Sequence, residues 1–137
     1  MRLDPPRWHF ITGMAVLLLV VPRLISRALG GAPPLDETAG QWLTLGAQLG
    51  HGALYLLLIA VPLTGWYAMS RLGVRLSVFG YTLPSLTAPV QGFPGLIADV
   101  HQWGGNGILI LAGLHGLFAL WHHFVRRDNT LRRMSRF

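Results

Sequence analysis

Two histidines, His101 and His115, lie in the segment DVHQWGGNGILILAGLHGLFALWHHF, where most other residues are apolar or glycine. An imidazole in hydrocarbon is costly unless a partner satisfies its polar atoms. In an α-helix the fourteen-residue spacing spans about 21 Å and returns to within ~40° of the same face. One helix face therefore presents a ring near each of its ends, and such rings can ligate a metal or form hydrogen bonds.

His9 opens another apolar segment and shares a pattern with His101. Each is followed four residues later by a glycine, Gly13 or Gly105. Residues i and i+4 share a helix face, so each histidine lies beside a patch without side chains. A planar macrocycle held between two helices, such as haem, requires such a patch. The alternative to a haem site is that the histidines are hydrogen-bonded packing residues and the glycines allow close helix packing.

Other chemistry has less support in the residues. Histidine-only sites for zinc or similar metals exist, but carboxylates or thiols usually join them. The chain has no cysteine, and Asp99 is the acid beside His101. His122 and His123 are predicted to lie at the membrane interface, solvated or near headgroups. Serine–histidine–acid sets, phosphate-binding loops and paired carboxylates are not seen, so hydrolysis and phosphoryl transfer are not supported.

The composition is typical of a membrane protein. Mean hydropathy is +0.47, and 12% of the residues are charged, against about 25% in soluble domains. A bilayer span needs ~20 predominantly apolar residues, and three segments qualify, at residues 9–29, 46–69 and 99–125. We predict an all-α integral membrane helical bundle with three transmembrane helices, forming one domain over residues 1–137 with one long connection at residues 70–98.

The positive charges indicate the orientation. All eleven basic residues are arginines, and they flank the apolar segments instead of forming a stripe, which favours a membrane protein and not a nucleic-acid-binding one. With the N-terminus outside, seven arginines are cytoplasmic and four are outside. We therefore predict an outer N-terminus and a basic cytoplasmic C-terminus. The first and third helices are then parallel, which places His9 and His101 near the outer face.

Four stretches resemble the bacterial cytochrome b561 family. They are HFITGMAVLLLVVPRLISR, GHGALYLLLIAVPLTGW, HQWGGNGILILAGLH and HHFVRRDNTLRRM, and the last is the most distinctive. The resemblance implies a four-helix bundle in the bacterial plasma (inner) membrane that binds two b-type haems between paired histidines. Family members move electrons, generally in exchange with quinone, and some oxidise superoxide.

Carried over to this chain, the resemblance places His9 and His101 on the haem nearer the outer face and His115 on the inner haem. The family partner of His115 lies on a helix that precedes the matched residues. Three accounts of this missing helix are possible: the start codon is misplaced, a separate subunit or a second copy supplies the helix, or the protein truly has three helices. In the third, His51, near the cytoplasmic start of the second helix, could become the missing ligand. The family-like alternative is that His51 hydrogen-bonds a propionate or lies near a quinone.

The resemblance implies a quinone-linked electron-transfer oxidoreductase of the respiratory chain, with one or two haem b per chain and lipid around it. Arg23 and Arg27 are expected to pair with propionates or lipid phosphates. A helix kink and helix packing account for the presence of Tyr55, Pro62 and Gly65 in the second helix. The alternative function is a haem-depleted or single-haem membrane anchor subunit that holds a partner protein or connects it electronically. A metal transporter that uses histidines is a further alternative with less support.

Overall fold

Three long helices make up most of the structure. The computed structural model describes residues 7–30, 40–78, 80–92 and 95–126. Helix α1 is Arg7–Gly30, α2 is Gln41–Arg71, and α3 is Leu96–Trp121, which continues as a π-helical turn at His122–Arg126. Between α2 and α3 lie two short strands, β1 at Ser77–Val78 and β2 at Tyr81–Thr82.

Each helix is long and apolar enough to cross a membrane, which confirms the all-α membrane bundle. The predicted spans at 9–29 and 46–69 lie inside α1 and α2, and the span at 99–125 lies within α3 and its π-helical turn. Each helix begins a few residues before the predicted span. The first residue is polar in α1 (Arg7) and α2 (Gln41), whereas α3 begins with the apolar residue Leu96. The predicted basic C-terminal tail after Arg126 lies outside the described residues.

Helix α2 is the centre of the bundle. It packs against both α1 and α3, whereas α1 and α3 make at most slight contact with each other. The chain reverses direction between consecutive helices, so α1 and α3 are parallel and α2 is antiparallel to both. We call the end of the bundle that carries the start of α1 and the two β-strands the hairpin end. The other end of the bundle is called the opposite end. This arrangement leaves a space between α1 and α3 alongside α2.

Glycines on α3 allow it to approach α2 closely. A Cβ added at Gly104 would lie only 2.6 Å from the Cγ2 atom of Val61, and one added at Gly107 would lie 3.5 Å from the Cδ1 atom of Leu57. Lipid tails are as apolar as the helix surfaces, so close packing at small residues is a main source of helix association in a bilayer. These contacts fix the register of α2 against α3.

The connection between α2 and α3 folds back on the end of α2. Ser70 is 2% exposed; its hydroxyl donates to the Trp66 carbonyl (2.9 Å) and accepts from the Leu86 amide (3.1 Å). The Trp66 indole donates to the Pro84 carbonyl at 3.1 Å. The sequence predicts only a long connection here, without the antiparallel β1–β2 pair that the structure contains. Two-residue strands are too short to produce an alternating pattern.

Apolar side chains face outward over most of the helix surface. Among the described residues the buried hydrophobic side chains are Val20, Ala68 and Leu76, whereas large side chains such as Leu18 and Leu109 are more than 70% exposed. In water this surface would drive aggregation. In a bilayer it contacts lipid, which agrees with a multi-pass membrane protein.

The substitution Gly104→Ala tests the α2–α3 contact. The added methyl group must displace the stiff β-branched side chain of Val61, and overpacking of this kind costs about 1–3 kcal/mol. We expect a lower thermal stability in detergent, measured as loss of monodisperse protein on heating. The control Gly113→Ala, where an added Cβ meets nothing within 4 Å, should not lower it. Equal stability of both variants would contradict the packing described above.

Candidate functional site

His9 and His101 come together across the gap between α1 and α3. Their ring centroids lie 5.8 Å apart with the ring planes at 88°. His9 is in the first turn of α1 and His101 is in the second turn of α3. Because these helices are parallel, both rings lie at the hairpin end, at the matched depth predicted from the sequence.

The His101 ring is held in place by α2. Its Nδ1 atom lies 2.9 Å from the Val61 carbonyl oxygen. A carbonyl oxygen can only accept, so Nδ1 carries the proton and donates it. The Nε2 atom then keeps its lone pair, which is the state a metal ligand requires, and histidine ligands generally donate their other ring nitrogen in this way. Thr64 also donates its hydroxyl to Val61, at 2.8 Å.

Gly65 makes room for this ring. A Cβ at position 65 would lie 2.7 Å from the Cε1 atom and 3.0 Å from the Nδ1 atom of His101. The sequence analysis assigned Gly65 to general helix packing, but its neighbour is the histidine ring itself. No sequence signal within α2 could identify that neighbour, because it lies on another helix.

His51 and His115 form a second pair at the opposite end. Their ring centroids lie 5.1 Å apart with the planes at 69°, and both side chains are half-buried. The contacts Gly65–His101, Val61–Gly104 and Leu57–Gly107 define one antiparallel register, and that register places His51 opposite His115. From the sequence, only the position of His51 near the predicted cytoplasmic start of the second helix makes it a candidate partner of His115.

The separation of 5.8 Å between the His9 and His101 ring centroids would suit two imidazoles that hold one iron between them, because a metal–imidazole nitrogen bond is about 2 Å long. In the described part of the chain no group of three or more histidine or acidic side chains could hold a metal ion. A haem supplies the equatorial ligands itself and needs only two from the protein, so the residues present fit haem better than a bare metal ion.

The helix surface beside the first pair is also open. A Cβ added at Gly13 or Gly105 would meet nothing within 4 Å, in contrast to Gly65 and Gly104. These are the two glycines that follow His9 and His101 by one helical turn. The open surface provides space for a flat group between α1 and α3.

His122 and His123 are not part of either pair. The His122 ring contacts Trp121, with the centroids 5.2 Å apart, and the His123 ring contacts Phe124, with the centroids 4.9 Å apart. Both lie in the π-helical turn at the end of α3. Their position after the apolar run is consistent with the predicted interfacial location.

A cavity of about 610 Å³ lies between the hairpin and the end of α2. Its lining includes Trp66, Ser70, Arg75, Thr82 and Thr87. Because Trp66 follows Gly65, the cavity adjoins the turn of α2 that supports His101. The sequence analysis did not find this feature, which depends on how residues 72–92 fold back.

The variant Gly65→Ala tests how His101 is positioned. The added methyl group should push the imidazole away from the Val61 carbonyl, so we expect weaker haem binding at the His9–His101 pair, measured as a smaller or shifted reduced-minus-oxidised haem spectrum. The matched control is Gly46→Ala, also on α2, where an added Cβ meets nothing within 4 Å. Identical spectra for Gly65→Ala and the wild type would show that the contact does not position the ring.

Comparisons with known proteins match this sequence to a family. The family described as prokaryotic cytochrome b561 matches residues 2–136. Cytochrome b561 homolog 2 of Escherichia coli K12 is 32% identical over 130 residues, covering 94% of this chain and 69% of that protein. Cytochrome b561 homolog 1 of the same organism is 32% identical over 127 residues, covering 92% and 72%. The probable superoxide oxidase CybB of Yersinia pestis is 32% identical over 126 residues, again covering 92% and 72%.

The match spans all three helices, the proteins of this family bind b-type haem, and the helices are those of a multi-pass membrane protein. The resemblance inferred from the four sequence stretches is confirmed. This chain belongs to the prokaryotic cytochrome b561 family.

Proposed function

We propose that this membrane b-type cytochrome exchanges single electrons with quinone through a haem b held between His9 and His101. The observation that carries the proposal is the His9–His101 pair, in which rings from different helices lie 5.8 Å apart. Haem iron, when bound, supplies reversible one-electron redox chemistry whose potential depends on its ligands and on burial.

The protein's own part is to orient the ligands and to keep the site apolar. The Val61 carbonyl holds His101 in the tautomer with a free Nε2 atom, while Gly65 allows the ring to lie against α2. His9 approaches from α1, so the two ligands come from helices that contact each other only slightly and leave space between them. The outward apolar surface admits lipid-soluble molecules and excludes water.

Quinone as one partner is supported by this location. Both histidines lie on helices that are able to cross a membrane, and a quinone dissolved in the bilayer can reach the apolar surface around them. We place the plasma membrane around the bundle with the hairpin end outside and the C-terminus in the cytoplasm, as the arginine distribution predicts.

The cavity at the hairpin end supports a small second partner. Its volume of about 610 Å³ lies within the range of small-molecule sites, roughly 300–1,000 Å³, and Arg75 in its lining carries a positive charge that would attract an anion. One relative is named as a probable superoxide oxidase. Two superoxide anions, each oxidised by one electron to dioxygen, would supply the two electrons that convert one quinone and two protons to quinol.

Substitution of either ligand tests the haem site. In His9→Ala and His101→Ala we expect loss of the same component of the haem spectrum, and the double variant should lose no more than either single variant, since both rings serve one iron. Pyridine haemochrome assays and reduced-minus-oxidised spectra of purified protein measure this. His123→Ala serves as the control and should retain the full spectrum. If only one of the two substitutions altered the haem, the pairing would be wrong.

Filling the cavity tests the second partner. Thr87 is half-buried and lines the cavity, so Thr87→Trp should obstruct it while the haem spectrum stays unchanged. We expect haem reduction by enzymatically generated superoxide to slow at least several-fold in stopped-flow measurements, while reduction by a soluble quinol in detergent changes little. If Thr87→Trp slowed both reactions equally, or slowed neither of them, the cavity would not be the site of the second partner.

A further inference from the structure

We propose that Thr64 sets how strongly His101 donates electron density to the iron, and with it the reduction potential of the haem held between His9 and His101. Thr64 is a positioning residue in this role, because it acts through the hydrogen bond of the ligand and not on the iron itself. The inference rests on the proposed function, since it requires a haem at that pair of histidines.

Thr64 and His101 share one acceptor, the carbonyl oxygen of Val61. The Thr64 hydroxyl donates to this oxygen at 2.8 Å, and the His101 Nδ1 atom donates to it at 2.9 Å. The hydroxyl oxygen also lies 3.4 Å from Nδ1. Because the hydroxyl proton is donated to the carbonyl, its oxygen offers only a lone pair to the Nδ1–H group. The ring proton therefore has one near acceptor and one distant acceptor, and Thr64 affects both.

A hydroxyl that bonds to its own helix is common in itself. Threonine and serine in helices regularly donate to a carbonyl three or four residues earlier. Thr12 and Ser26 do so, to the carbonyls of Trp8 and Pro22. In the part of the chain that the structure describes, no histidine ring bonds to either of those carbonyls. The shared acceptor distinguishes Thr64 from these ordinary cases.

Packing holds the shared acceptor and the ring in place. The missing side chain at Gly65 lets the His101 ring lie against α2, where an added Cβ would be only 2.7 Å from its Cε1 atom. The Val61 side chain lies against Gly104 of α3, the helix that carries His101. The carbonyl and the ring are thus fixed on two closely packed helices. A change at Thr64 that conserves side-chain volume should therefore alter the strength of the His101 hydrogen bond more than its geometry.

Competition for the carbonyl determines the direction of the effect. The Thr64 hydroxyl withdraws electron density from the oxygen, so the Nδ1–H group of His101 meets a weaker acceptor. Without the hydroxyl, the carbonyl attracts the ring proton more strongly, and Nε2 becomes a more basic ligand. A stronger electron donor favours oxidised iron, so the reduction potential falls.

The contact between the Thr64 oxygen and Nδ1 acts in the opposite direction, because its loss removes a second acceptor from the ring proton. Its length of 3.4 Å exceeds the range of about 2.7–3.2 Å for ordinary N–H···O hydrogen bonds. The hydroxyl–carbonyl bond of 2.8 Å is much the shorter of the two contacts. We therefore expect the competition at the carbonyl to dominate.

The variant Thr64→Val removes the hydroxyl and keeps the branched shape of the side chain. A redox titration of the purified full chain follows the haem component that is lost in His9→Ala. We expect a lower midpoint potential, so that the ratio of reduced to oxidised haem at the wild-type midpoint falls several-fold. Thr64→Ser keeps the hydroxyl and should titrate as the wild type. The matched control Ser26→Ala loses a hydroxyl–carbonyl bond on α1 and should also titrate as the wild type.

An unchanged or higher potential in Thr64→Val would overturn the inference. An equal shift in Thr64→Ser would overturn it as well, because the effect would then come from packing of the methyl group. If Thr64→Val lost the haem component, Thr64→Ala would be titrated with the same expectation. Loss of the component in that variant too would show that the hydroxyl holds the ring and does not tune it, which again overturns the inference.

The histidine variants separate this inference from the proposed function. Each outcome at Thr64 leaves the expected loss of haem in His9→Ala and His101→Ala unchanged, so the proposed function would survive a failure of the inference. If neither histidine substitution altered the haem spectrum, the proposed function would be wrong and the inference would fall with it.

Discussion

The close contact between α2 and α3 at Val61 and Gly104 is the constraint on which the site depends. It holds the two helices at a distance that only glycine allows, with an added Cβ 2.6 Å from Val61. In one direction from this contact, the antiparallel register places the Val61 carbonyl within hydrogen-bond distance of the His101 ring. In the other direction it places His51 beside His115. Packing at small residues thereby sets the position of all three imidazoles carried by these two helices.

The polarity of imidazole explains why such positions are functional. A membrane-crossing helix gains nothing from an unpaired histidine, which must find a hydrogen-bond acceptor or a metal. His101 satisfies Nδ1 at a backbone carbonyl and keeps Nε2 available, whereas His51 and His115 find only each other among the described residues. The His101 ring is therefore anchored by a backbone carbonyl, whereas the rings of His51 and His115 contact each other without such an anchor.

Much of the helical architecture and part of the candidate site could be predicted from the sequence, because the strongest signals in the sequence are local. Apolar run lengths gave the three helices, and the parallel direction of the first and third helices matched His9 with His101 in depth, since each lies at the start of its helix. The contact of Gly65 with His101, the short β-strands and the cavity beside Trp66 could not be predicted. Each depends on how separate segments pack, and a single sequence does not record the identity of a neighbour on another helix. His51 lies between these cases, since its depth named it as a candidate partner of His115, but the sequence could not show that the two rings are in contact.

The most direct test of the central claim, that His9 and His101 from different helices would together hold a haem iron, is a low-temperature electron paramagnetic resonance spectrum of the oxidised, purified wild-type protein. The account predicts a low-spin ferric signal whose integrated intensity equals the total haem, as expected when two imidazoles hold the iron. A dominant high-spin ferric signal from intact protein would contradict it, because at least one iron would then lack the second histidine.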